Sequence, residues 1–172
     1  MKNFYHSNKI ITDTSTLSNI DKNKMVFVSG VFDLLHIGHI NFLRAAKDLV
    51  GEQGKLVVAI HADEAVKENK GNNRPLIPLE NRLDFLSELN SVDFIIPWYG
   101  WETITQLAYD LKPAYFAVTA KSYEHSAKNK WKGESWEQIA KRIHAQIVKI
   151  DVQQGVSTTQ FEKLLTEFSD EK

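Results

Sequence analysis

The stretch MVFVSGVFDLLHIGH, Met25 to His39, decides how this chain is read. Its first five residues, Met25 to Ser29, form a short apolar run that suits a strand buried on both faces. Gly30 follows, where the backbone can turn sharply or let a ligand approach closely. Gly38 stands at the entrance of an amphipathic stretch, His39 to Val50, whose polar residues Asn41, Arg44, Lys47 and Asp48 lie on one side. A strand that runs through such a turn into a helix presents unpaired N–H groups and a positive dipole end, a seat for polyphosphate. His36 and His39 lie three apart around a glycine, so both rings can face one anion. Two imidazole donors aimed at phosphate oxygens stabilise charge that grows in a transition state. No third ligand at helical spacing accompanies the pair, so no metal centre is expected there. The dinucleotide fingerprint GxGxxG does not follow this strand, which argues against hydride transfer.

Outward from this stretch the same alternation repeats. Lys55 to Ile60, Asp93 to Ile96, Tyr115 to Val118 and Gln146 to Ile150 read as further strands, rich in Val, Ile and Phe. Helical patterns cover Leu79 to Leu89, Trp101 to Leu111, Ser135 to Ile143 and Thr158 to Phe168; the second stops at Lys112-Pro113. Five β-α units of this kind predict an α/β fold with one open, doubly wound parallel sheet of about five strands. Ligands in such sheets bind beyond the carboxyl ends of the strands, where the strand order reverses. Residues 1–24 are polar and weakly patterned and read as an N-terminal extension; residues 25–172 read as one domain. Ser122 to Glu134 is lysine-rich and reads as a surface loop.

The bulk properties narrow the function. A chain of 172 residues can bury a core unaided, and without cysteines it has neither disulfides nor thiolate chemistry, which suits a reducing cytoplasm. The formal net charge of -1, with no basic stripe, argues against nucleic acid as a partner. No apolar run is long enough to span a bilayer, and no signal peptide is visible, so no membrane partner is expected.

Gly30 to His39, GVFDLLHIGH, resembles the HxGH motif of the cytidylyltransferase-like nucleotidyltransferases, and Ile40 to Lys47 continues that family's first helix. A second block, Asp63 to Gly71 followed by Arg74 to Arg82, is similar to the adenylyltransferase domain of bacterial ADP-heptose synthases, more than to glycerol-3-phosphate cytidylyltransferases. A third, Gly155 to Thr159, resembles the ISTT-type motif near the C-terminus of both. The likeness runs from about Lys24 to Leu165. The string His36-Ile37-Gly38-His39 also matches the HIGH motif of class I aminoacyl-tRNA synthetases, but the chain is too short for one and lacks a KMSKS sequence.

The resemblance implies a Rossmann-like fold and nucleotidyl transfer from ATP or CTP, with Mg²⁺, to a phosphorylated small molecule. His36 and His39 would stabilise the transition state at the α-phosphate. Ser29, Gly30, Val31, Phe32, Asp33 and Gly38 would line the phosphate path. Lys47 would reach phosphate from the first helix, or else be a solvated face residue. Arg82 would bind nucleotide phosphates, or else form a surface salt bridge. Ser157, Thr158 and Thr159 would bond phosphate oxygens, and Ser157 with Gln160 also forms a capping box. Family members are often homodimers. After the fourth strand, heptose-type relatives carry a lysine, two glycines and an acid. Here Val118-Thr119-Ala120-Lys121-Ser122-Tyr123 lacks the glycines and has a lysine near the acid's place, which leaves the base and the acceptor open. A cytidylyltransferase acting on an alcohol phosphate and a non-catalytic nucleotide-binding module are the alternatives. Trp98, Tyr99 and Trp101 could form an acceptor wall or a dimer contact, or simply pack a loop onto the core.

Overall fold

Five strands carry the core: β1 (Met25–Gly30), β2 (Lys55–His61), β3 (Phe94–Trp98), β4 (Tyr115–Thr119) and β5 (Gln146–Ile150). All pair in parallel, in the order β3-β2-β1-β4-β5. The computed structural model describes residues 7–120, 122–124 and 134–151. Each strand falls where an apolar run predicts one, because strands covered on both faces need side chains that are apolar throughout.

Helices α1 (Ile37–Asp48), α2 (Asp63–Lys70), α3 (Leu79–Ser87), α4 (Trp101–Leu111) and α5 (Trp136–Ile143) flank the sheet. Alternate residues of a strand share a face. Val26, Val28, Leu56, Val58 and Ile60 meet Phe42, Leu43 and Ala46 of α1 and Leu83 and Leu86 of α3 on one face. Met25, Phe27, Val57, Ala59, Ile96 and Trp98 meet Ile104, Leu107, Ala108 and Leu111 of α4 and Ile139 of α5 on the other. Five strands with helices on both faces make this a doubly wound, Rossmann-like α/β sheet. α4 ends at Lys112, whose φ of 47° lies in the left-handed region just before Pro113. α5 starts from a capping box in which the Ser135 hydroxyl accepts from Gln138 N–H.

One expectation is corrected. Periodicity marks no helix at Asp63–Lys70, yet α2 forms there; it buries only Ala65 and Val66, too few to leave a pattern. The described part of the N-terminal segment packs against the sheet. Two short 3-10 turns, Thr14–Leu17 and Lys22–Lys24, precede β1, and Leu17 lies in the core. Ile10 bridges Ile95 in parallel, with Ile11 N–H donating to the Ile95 carbonyl at 2.8 Å and Ile95 N–H to the Lys9 carbonyl at 2.8 Å. The helix expected at Thr158 to Phe168 lies outside the described residues. Among the described residues no helix is long and apolar enough to cross a membrane.

The chain winds from β1 outward to β3, then returns to lay β4 on the other side of β1. The strand order therefore reverses at β1 and β4, and the crevice of such a sheet opens at their carboxyl ends.

Candidate active site

At the carboxyl end of β1 the backbone turns through Phe32, a buried residue with a φ of 52°. A Cβ on Gly30 would come within 2.7 Å of the Phe32 ring, so Gly30 makes room for that ring. The Phe32 ring in turn stands edge-on to His39, centroids 5.3 Å apart.

His36 is the N-cap of α1. Its Nδ1 accepts from Gly38 N–H at 3.1 Å, and its own N–H donates to Nδ1 of His39 at 3.4 Å. This is a capping box with histidines in the places usually held by Ser and Glu. The rings stack with centroids 3.8 Å apart. A Cβ on Gly38 would stand 2.9 Å from Cε1 of His36, so only glycine admits this stacking without displacing the ring. A ring whose Nδ1 accepts a hydrogen bond carries its proton on Nε2 when neutral. Neutrality is enforced. Burial lowers the pKa of His36. Burial, then the neighbouring His36 and Lys70, pushes His39 down to about 4, against the Leu34 carbonyl, which favours its charged form.

The other expected contacts divide. Val31 offers its backbone, and its carbonyl accepts from Arg82 Nη1 at 2.6 Å. Ser29 Oγ lies 3.4 Å from Nε2 of His61. Asp33 latches the loop before α3. Its carboxylate accepts from the N–H groups of Leu76 and Ile77 and from Arg74 Nη1, each at 2.8 Å. Burial alone would raise its pKa; these three donors outweigh that and lower it.

Arg82 is engaged within the chain as well. It is 0% exposed, and its donors are spent on the chain: Nε on the Ile77 carbonyl (2.9 Å), Nη1 on those of Val31 (2.6 Å) and His61 (2.9 Å), Nη2 on Asp63 (2.6 Å). A buried guanidinium must be satisfied in this way. Its role is to tie together the ends of β1 and β2 and the loop before α3.

Lys47 lies near the opposite end of the sheet from the two histidines. Eleven residues of helix separate it from His36, about 16 Å. Its Nζ donates to the Gly54 carbonyl and pairs with Asp93, both at 2.6 Å, at the amino ends of β2 and β3. Ser157, Thr158 and Thr159 lie outside the described residues.

Sequence reasoning passes over His61 and Lys70, and names Trp98 only as one of three aromatic residues that form an acceptor wall, a dimer contact or loop packing. His61 and Trp98 end β2 and β3, the positions from which parallel sheets supply their sites. Lys70, the last residue of α2, lies close enough to lower the pKa of both His39 and His61. The turn after β4, where Ser122 N–H donates to Thr119 Oγ1 at 3.1 Å, flanks the same crevice.

This arrangement has relatives. The family described as cytidylyltransferase-like matches residues 27–165. The bifunctional protein HldE of Helicobacter hepaticus is 33% identical over 158 residues, 90% of this chain and 30% of that protein. HldE of Hydrogenovibrio crunogenus is 44% identical over 91 residues, 52% of this chain and 18% of its own length. The chain thus spans less than a third of the curated relatives it matches. Among solved structures, the lipopolysaccharide core biosynthesis protein of Thermoplasma volcanium superposes with a TM-score of 0.58 at 27% identity, covering 76% of this chain and 98% of that one. Since the family's match runs from within β1 past β5 and covers most of the chain, the chain belongs to the cytidylyltransferase-like family, and the domain built on that sheet is a nucleotidyltransferase.

Proposed function

We propose that the chain transfers an adenylyl group from ATP to the phosphate of a sugar 1-phosphate and releases pyrophosphate. The observation that carries this reading is the stacked, backbone-locked pair His36 and His39 at the start of α1. Two neutral rings fixed before substrate arrives are preorganised donors, and such donors need no reorganisation when charge develops. The helix N-terminus adds its own N–H groups and dipole. The HldE relatives and the lipopolysaccharide core biosynthesis neighbour support the adenylyl and sugar assignments.

The acceptor phosphate is already a nucleophile at neutral pH. One of its oxygens attacks the α-phosphorus of ATP, and the bond to the bridging oxygen of pyrophosphate breaks, with no covalent attachment to the chain. The work of the chain is positioning and charge stabilisation. Mg²⁺ would neutralise part of the phosphate charge. The donor set fits an ion held by phosphate oxygens and water, since Asp33 and Asp63 are engaged by Arg74 and Arg82. A homodimer belongs to this reading on resemblance alone, and the mass in solution tests it.

The test is pyrophosphate release with Mg²⁺, crossing ATP and CTP with sugar 1-phosphates and alcohol phosphates. Turnover of ATP with a sugar 1-phosphate is expected. Turnover only with CTP and an alcohol phosphate would move the protein to the cytidylyl branch. Nucleotide binding without turnover on any pair would leave a binding module.

A further inference from the structure

Two buried ring nitrogens on neighbouring residues have no hydrogen-bond partner among the described residues: Nδ1 of His61 and Nε1 of Trp98. The two residues are direct neighbours in the β2–β3 register, and their ring centroids are 4.1 Å apart. Trp98 is 2% exposed. Native proteins rarely leave buried polar atoms unpaired, and those that do so commonly have a use for them.

Their place suggests the use. Ser29, His61 and Trp98 share the sheet face of Phe27 and Ala59, whereas α1 with His36 and His39 packs on the other face. The two groups meet at the end of β1. In-line displacement puts the incoming oxygen and the leaving pyrophosphate on opposite sides of the α-phosphorus. With the polyphosphate at the start of α1, the acceptor comes from the side of Ser29, His61 and Trp98. The charge of Lys70 lowers the pKa of a ring in each group, His39 and His61.

The chemistry narrows the ligand. An indole N–H only donates, so it calls for an oxygen. His61 is neutral: burial first, then Lys70 and Arg82, push it down to about 3. Neutral polar atoms set in aromatic surface suit hydroxyl groups, while phosphate is better served by charged donors. Just after Trp98 the chain reaches the surface: Tyr99 is 60% exposed, and a Cβ on Gly100 would meet nothing within 4 Å.

We propose that His61 and Trp98 bind the acceptor through its hydroxyl groups and so select a polyhydroxylated sugar phosphate over a short alcohol phosphate. The proposal rests on the transfer reaction given above, and the experiment separates the two. The indole N–H resonances of the four tryptophans are followed by NMR, with Trp98→Phe identifying the one that belongs to Trp98. Mannose 1-phosphate, a heptose 1-phosphate, glycerol 3-phosphate and a non-hydrolysable ATP analogue are added separately. The Trp98 resonance is expected to move with the sugar phosphates and to stay nearly still with the other two. His61→Phe, which keeps Trp98 for the same readout, is expected to raise the acceptor KM about tenfold, the worth of one hydrogen bond, and leave the KM for ATP unchanged. An unmoved Trp98 resonance with both sugar phosphates overturns the proposal, as does a KM for ATP that rises in step with that of the acceptor. A moving resonance without pyrophosphate release upholds the subsite and overturns the transfer reading. Release with an unmoved resonance does the reverse.

Discussion

At the amino end of the sheet, Lys47 is clamped by the Gly54 carbonyl and the Asp93 carboxylate, which also takes Lys55 Nζ and Leu56 N–H. At the carboxyl end, Arg82 is clamped by three carbonyls and the Asp63 carboxylate. Both are cations that the family resemblance marks for phosphate, and both are bound into the frame. The ends differ in what stands beside the clamp. Beside Lys47 the neighbouring polar groups answer one another. Beside Arg82 stands the imidazole of His61, held neutral by burial. On the proposed function, charge holds this molecule together and neutral rings meet the substrate.

Substitutions can break that contrast in order of size. His39→Ala should lower kcat by about 10²- to 10³-fold, the usual loss for one preorganised donor, with little change in melting temperature. Single-turnover pyrophosphate release measures it; a near-normal rate would remove His39 from the chemistry. Arg82→Ala should cost stability first, about 3 kcal/mol, because it orphans three carbonyls and unpairs Asp63. Urea unfolding reads this, and activity should fall with it. A stable Arg82→Ala protein with a raised KM for ATP would return Arg82 to the ligand.

Acid sharpens the contrast further. His39 and His61 titrate near 4 and 3 in the folded chain, against about 6.5 when unfolded. Below 6.5 the unfolded chain binds more protons, so stability is full above that pH and falls as pH drops toward the folded values. The pair should cost about 2 kcal/mol over the first pH unit below 6.5. Unfolding curves at pH 7.0, 6.0 and 5.5 check the slope, and a flat profile would mean that the rings are not held neutral. The smallest effect belongs to Lys47→Met, about 1 kcal/mol of stability with kcat unchanged. A kcat that fell more than the stability explains would bring Lys47 back to the phosphate.

The fold was largely legible because its signals are local. Each strand announces itself within five to seven residues, and the glycines and histidines of the first turn act within ten residues of one another. Side-chain roles were legible only where the partners are near in sequence. His36, Gly38 and His39 bond among themselves and keep their predicted place at the start of α1. Lys47 and Arg82 take partners 46 and 51 residues away, Asp93 and Val31, which no spacing announces. Ile10, Ile11 and Leu17 are scattered through a polar segment, so their packing leaves no period to read. His61 lies just past the predicted β2 run and is marked out only when Trp98 closes over it.

The bridge between Ile10 and Ile95 has a consequence for the molecule's life among its own copies. β3 is an outer strand, and at Ile95 both outward backbone groups are already taken, by Lys9 and Ile11. An uncovered strand margin is a template on which another chain can add and start a fibre. The N-terminal segment therefore works as a selvedge, a finished border that keeps the sheet from being extended. A chain shortened past Ile11 would keep the elements of its catalytic apparatus and lose that border, and its first failing would be sociable: clumping in concentrated solution while each molecule was still folded.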